Sequence, residues 1–181
     1  MSATEPHNES PLLELTQVME GERALDGAVD LLAQYADVIA ERPALYRALR
    51  GVDWLGHSLH PTLTGFPLGA WMSASMLDLI GPEDSDDAAR RLVGLGILGV
   101  LPTALAGLTD WRALAEQSDR RTGVVHAGGN VAALAAYTCS WVARRRGKHR
   151  LGVALGLLGA GFAAGAGYLG GHLAENGTFA G

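Results

Sequence analysis

The chain is short of most of the groups on which soluble chemistry relies. It has a single cysteine, Cys139, in 181 residues, so no disulfide can form within it and an iron–sulfur cluster has no ligand set. Two stretches, 92–109 and 151–171, contain no charged residue at all. The opening MSATEPHNES has neither a basic segment nor an apolar core, so no cleavable signal peptide is expected. No nucleophile stands beside a base at a telling spacing, and no catalytic residue is assigned. The one basic cluster is the short run 144–150, so nucleic acid is not an expected partner. A dinucleotide-binding glycine signature is missing too, because no strand precedes the glycines of the last apolar run.

What the chain does have is long apolar runs. Crossing the hydrocarbon of a bilayer takes about 20 mostly apolar residues in a helix. Residues 61–80, 92–111, 123–143 and 151–173 qualify. Backbone groups in lipid must be satisfied internally, so these spans should be helical. The competing reading is a soluble four-helix bundle, whose helices would carry a charged face at period 3.6. These runs do not. The expected fold is therefore all-α: an integral membrane four-helix bundle over 52–176 in a lipid bilayer. A helical appendage over 11–51 precedes it, with a disordered tail over 1–10 and a short tail over 177–181.

The appendage is acidic, carrying Glu14, Glu20, Glu22, Asp26, Asp30, Asp37 and Glu41 after Glu5 and Glu9. Leu12, Leu15, Val18 and Met19, then Leu25, Val29, Leu32, Ala36 and Ile39, follow helical spacing. Gly21 should divide the run into two helices and Pro43 should end the second. A short third helix would turn Leu45, Leu49 and Trp54 inward. Interfacial helices usually carry Lys or Arg on the polar face, so docking of this acidic head on the bundle or on a partner is an equal expectation.

Basic loops set the orientation. The run 144–150 holds five Lys or Arg, and the positive-inside rule places it in the cytoplasm, with both termini outside. The loop after the first span, with Glu83, Asp84, Asp86, Asp87, Arg90 and Arg91, falls on the same inner side. Counting crossings then collects four histidines on the other face: His57 and His60 in GHSLHP, His126 in VVHAGGN and His172 in GGHL. Asp110, Asn130 and Tyr168 fall beside them as supporting polar groups, with Arg121 as a rival partner for Asp110. His57 and His60, three apart, could chelate one ion if both lay on one helical turn. His60 before Pro61 equally suits a helix start, with Pro61 as first helical residue. Ionisable groups inside a span are costly and often functional, which singles out His126; its structural alternative is a bond to Asn130, Asp110 or a carbonyl. Asp78 should snorkel or meet Arg90 or Arg91. Cys139 and Trp71 read as packing residues. Small residues four apart in the last run, Gly152 with Gly156 and Gly161 with Gly165, suit tight packing or a homodimer.

GHSLHPTLTGFPLGAW, GLTDW, HAGGN and GYLGGHL, in this order and spacing, resemble the bacterial four-span membrane family known as domain of unknown function 2231. The likeness runs over 52–173. Ser58 stands where a proline is usual, and AENG follows His172 where a tyrosine and a basic residue are common. Some members appear fused to a Rieske iron–sulfur domain. The resemblance thus implies an electron-transfer setting, with any Rieske-type or other redox partner supplied as a separate chain. It brings no established activity. Two classes of function stay open. One is a membrane redox module, in which His57, His60, His126 and His172 supply the ligands of haem b or of a single metal ion. The other is a cofactor-free scaffold whose acidic head recruits a partner. A small transporter is weakest, since no charged pathway crosses the midplane.

Overall fold

The computed structural model describes residues 10–82 and 84–177. Of the expected tails over 1–10 and 177–181, residues 1–9 and 178–181 lie outside the described residues, as does Glu83. Every regular element described is helical. Four short helices form a head: α1 (Pro11–Gly21), α2 (Asp26–Ala40), α3 (Pro43–Arg50) and α4 (Val52–Leu55). Four long ones follow: α5 (Leu59–Ile80), α6 (Asp86–Arg112), α7 (Gln117–Arg145) and α8 (His149–Asn176). Each long helix contains one expected span and overruns it at both ends or one. α5 packs along α6 and α7 along α8, and the two hairpins close on each other through α6–α7 and α5–α8.

Local chemistry fixes the starts and stops. Gly21 ends α1 and Pro43 opens α3, as expected. Gly51 (φ 81°) separates α3 from α4, and a Cβ there would stand 2.8 Å from Leu59 Cβ, so only glycine fits the turn. Ser58 caps α5, its Oγ accepting from the His60 N–H at 3.3 Å. Pro61 is thus the third helical residue and not the first, a correction of two positions. Its missing N–H still falls among the first four donors, which have no partner within the helix.

The bundle is packed inside out relative to a soluble one. Its interior holds Trp71, Tyr137, Ala74, Ala89 and Val93 with alanines, glycines and hydroxyls, while Leu98 (73% exposed), Leu101, Phe66, Met72 and Ile80 (84% exposed) face outward. α6 and α8 are both long and apolar enough to cross a membrane. Only 33% and 28% of their apolar windows are buried in the protein, the reverse of a soluble core helix.

The head docks on the end where α5 begins and α8 finishes. Val29 and Ala36 of α2 pack on Trp111 and Leu114. The inward residues of α1 and α3 differ from expectation. Thr16 is fully buried while Leu12, Leu15 and Val18 are exposed. Leu45 and Trp54 (61% exposed) face outward, and Tyr46 reaches the bundle instead, donating to the Thr109 carbonyl at 3.4 Å.

Candidate functional site

Two of the four histidines meet. His60, in the first turn of α5, and His126, one-third of the way along α7, have ring centroids 6.2 Å apart with planes crossed at 84°. α5 and α7 are diagonal neighbours, so this contact lies across the bundle centre. Each ring is tied to its own hairpin. His60 Nδ1 lies 2.9 Å from the Thr103 carbonyl of α6, and His126 Nδ1 lies 2.7 Å from the Ala166 carbonyl of α8. A carbonyl only accepts, so both Nδ1 atoms carry a proton, and in the neutral ring the lone pair then sits on Nε2. Glycines make room for the rings: a Cβ on Gly107 would stand 3.0 Å from His60, and one on Gly170 would stand 2.9 Å from His126.

The supporting residues divide. Asn130 Nδ2 lies 3.1 Å from His126 Nε2 and also donates to the His126 carbonyl at 3.0 Å, as helical spacing suggested. Asp110 accepts from the Ser58 hydroxyl that caps α5, so it acts on the helix start that carries His60. It does not pair with Arg121, which instead clamps Asp26 of α2 through Nε at 2.7 Å and Nη2 at 3.0 Å. That guanidinium holds the Asp26 carboxyl below the usual carboxylate range, mainly by hydrogen bonding. Tyr168 lines an apolar groove of α1, α7 and α8, together with Leu12, Leu15, Met19 and Phe162.

The other two histidines serve elsewhere. His57 is exposed in the turn before α5, its Nδ1 on the Ser58 carbonyl at 2.8 Å, so His57 and His60 do not share a helical turn. His172 donates from Nε2 to Glu20 Oε1 of α1 at 3.0 Å, holding the head to the last helix. Among the described residues no three or more of His, Cys, Asp and Glu come together to hold a metal ion.

The opposite end holds a feature that the sequence reading missed. Arg144 grips Asp78 with two bonds, of 2.7 and 2.5 Å, and the two side chains are 2% and 5% exposed. Arg144 Nε also donates to Ser140 Oγ at 3.2 Å, and Ser140 donates to the Gly152 carbonyl at 2.6 Å. His149 Nε2 stands 3.8 Å from Asp78 and 3.2 Å from Asp86. Arg90 and Arg91, the expected partners of Asp78, pair with Asp87 and hold its carboxyl below the usual range. The available signal was an acid and an arginine at the same end of two apolar runs. Between the two ends, Trp71 and Tyr137 stack at 3.9 Å with planes 13° apart. Cys139, expected to pack, is exposed on the outside of α7.

The family described as Predicted membrane protein (DUF2231) matches residues 56–178, from the turn before α5 through the end of α8. No curated protein and no solved structure matches the chain.

Proposed function

The chain belongs to the DUF2231 family of predicted membrane proteins, and on that footing we propose that it is a four-span protein of the bacterial cell membrane that carries a histidine-ligated redox group. Residues 144–150 face the cytoplasm and both termini face outward, following the excess of Lys and Arg in that loop. The outward-facing leucines, methionines and phenylalanines of the long helices support lipid on all sides of the bundle.

One observation carries the choice of group. His60 and His126 each donate Nδ1–H to a carbonyl and keep Nε2 as the only lone pair on the ring. That is how a ligating imidazole is normally held, with the second nitrogen fixing tautomer and tilt. Two such rings are too few for a bare metal ion, which takes three or four protein donors. They suffice for haem b, whose porphyrin supplies the remaining positions. When bound, the group supplies reversible one-electron chemistry. The chain's own contribution is to hold both rings, to exclude water behind Trp111 and the docked head, and to present the site to a separate redox partner of Rieske or similar type. Asn130, now on His126 Nε2, would have to leave that atom for the group to bind and could keep its bond to the His126 carbonyl.

The test is the absorption spectrum of detergent-purified protein, expressed with haem and metals supplied, oxidised and then reduced, with metal analysis on the same sample. A Soret band with sharp reduced bands supports the proposal. A colourless protein with stoichiometric metal replaces haem by an ion. A colourless, metal-free protein removes the redox function and leaves the scaffold, which the head-to-bundle bonds of Glu20 and Asp26 would then explain.

A further inference from the structure

The two hairpins repeat each other in register. On α5 and α7, His60 corresponds to His126, Thr64 to Asn130, Trp71 to Tyr137 and Asp78 to Arg144, always 66 residues apart. On α6 and α8, Gly96 corresponds to Gly159, Thr103 to Ala166 and Gly107 to Gly170, always 63 apart. Each correspondence is one of role as well as of position. His60 bonds the Thr103 carbonyl with Gly107 against its ring; His126 bonds the Ala166 carbonyl with Gly170 against its ring. Thr64 and Asn130 each donate to the carbonyl of the histidine four residues before. Trp71 fills the space left by Gly96, and Tyr137 that left by Gly159. The partners then meet across the bundle: histidine on histidine, ring on ring, carboxylate on guanidinium.

Because α5 and α7 run the same way, as do α6 and α8, the operation that superposes these roles is a half-turn about the long axis of the bundle. We infer that the chain is a tandem repeat of one helical hairpin, and that its histidine layer is a two-fold site binding a single iron porphyrin on the axis, held equally by His60 and His126. The second part rests on the function proposed above. An imidazole nitrogen sits about 2.0–2.1 Å from a bound metal, which puts two rings on opposite sides of one metal about 6 Å apart at their centres. The observed centroid spacing is 6.2 Å, and sharing one group further requires Asn130 to release His126 Nε2. His57 and His172 have no counterpart in register, at Gly123 and Thr109 respectively, and they stand outside the site.

The repeat makes a demand that an isolated ion pair does not. The alkyl stem of Arg144 lies where a Cβ on Gly152 would overlap it. The residue 63 before Gly152 is Ala89, which is fully buried. Exchanging the charges alone, as Asp78→Arg with Arg144→Asp, therefore drives the new arginine stem into the Ala89 methyl. Adding Ala89→Gly should recover most of the lost Tm, although the same change in the wild-type background lowers Tm. Thermal unfolding of the full chain in detergent gives the readout. Recovery specific to the exchanged background supports the repeat, and its absence overturns it.

The site is tested separately by titrating hemin into the full chain. His60→Ala and His126→Ala should give the same conversion from a six-coordinate to a five-coordinate spectrum, with equal loss of affinity, and the double variant should bind none. Unequal single variants overturn the on-axis site. A wild-type protein that takes up no hemin removes the proposed function and the site with it, while the exchange series still decides the repeat.

Discussion

The two ends of the bundle solve the same problem in opposite ways. At the Asp78 end, buried polar groups satisfy one another: Asp78 meets Arg144, Arg144 meets Ser140, and His149 stands by in the second rank. At the histidine end, the two central rings are held first by backbone. Each imidazole spends one nitrogen on a carbonyl of its own hairpin, and the two rings touch without bonding. The first arrangement is closed, because every strong donor and acceptor already has its partner and a newcomer must break a charge pair. The second leaves His60 Nε2 outside the bond that holds its ring and engages His126 Nε2 only with the neutral Asn130 amide. A site is recognisable here by what its residues leave unspent, more than by how many gather.

The comparison breaks or sharpens on five substitutions. Asp78→Ala strands a buried guanidinium and should cost about 3–5 kcal/mol of stability, the most of any change here. His126→Ala leaves only a carbonyl without its donor and should cost about 1–3 kcal/mol. Equal losses in thermal or denaturant unfolding would erase the distinction between the ends. Gly170→Ala comes next. Its methyl would press on His126 Cε1 at 2.9 Å, costing about 1–3 kcal/mol and weakening hemin binding. Gly161→Ala, whose Cβ would meet nothing within 4 Å, should change neither. Ser58→Ala removes the cap that ties the start of α5 to Asp110 and should lower stability by about 1 kcal/mol.

The smallest effect is the pH dependence of head docking. The Asp26 carboxyl is lowered by Arg121 in the folded chain, so the folded state binds its proton less readily than the unfolded one. The stabilisation is fully present above the ordinary carboxylate value and is lost as pH falls through the lowered folded value. The protection of α1 and α2 amides, taken relative to intrinsic exchange at each pH, should therefore fall in acid, and Asp26→Asn should remove that acid-dependent step. Unchanged protection in the wild type between neutral and acid pH would take the ion pair out of the docking.

Residues 61–80, 92–111, 123–143 and 151–173 were legible because lack of charge over such a length is a local property of the chain. All fall inside helices, and only the ends shifted, where Ser58 caps earlier than Pro61 suggests and where Asp86–Arg112 and Gln117–Arg145 run on into polar residues. The tie between His126 and Asn130 was legible for the same reason, since four residues make one helical turn. Contacts between distant segments left no such trace. His172 was drawn toward the histidines by crossing counts, yet Glu20, 152 residues earlier, holds it. Asp78 was matched to the nearest arginines in sequence, whereas its partner lies 66 residues on and deeper in the bundle. The repeat itself escaped because identity is kept only at isolated positions, His60 with His126 and two pairs of glycines, while the rest trade Trp for Tyr and Asp for Arg.

The stack of Trp71 on Tyr137 has a consequence for traffic. With two aromatic planes 3.9 Å apart at the centre and Gly96 and Gly159 drawn tightly against them, the middle of the bundle is a septum. The histidine layer and the Asp78–Arg144 ion pair are therefore parted by a packed aromatic layer and are not joined by a polar path along the axis.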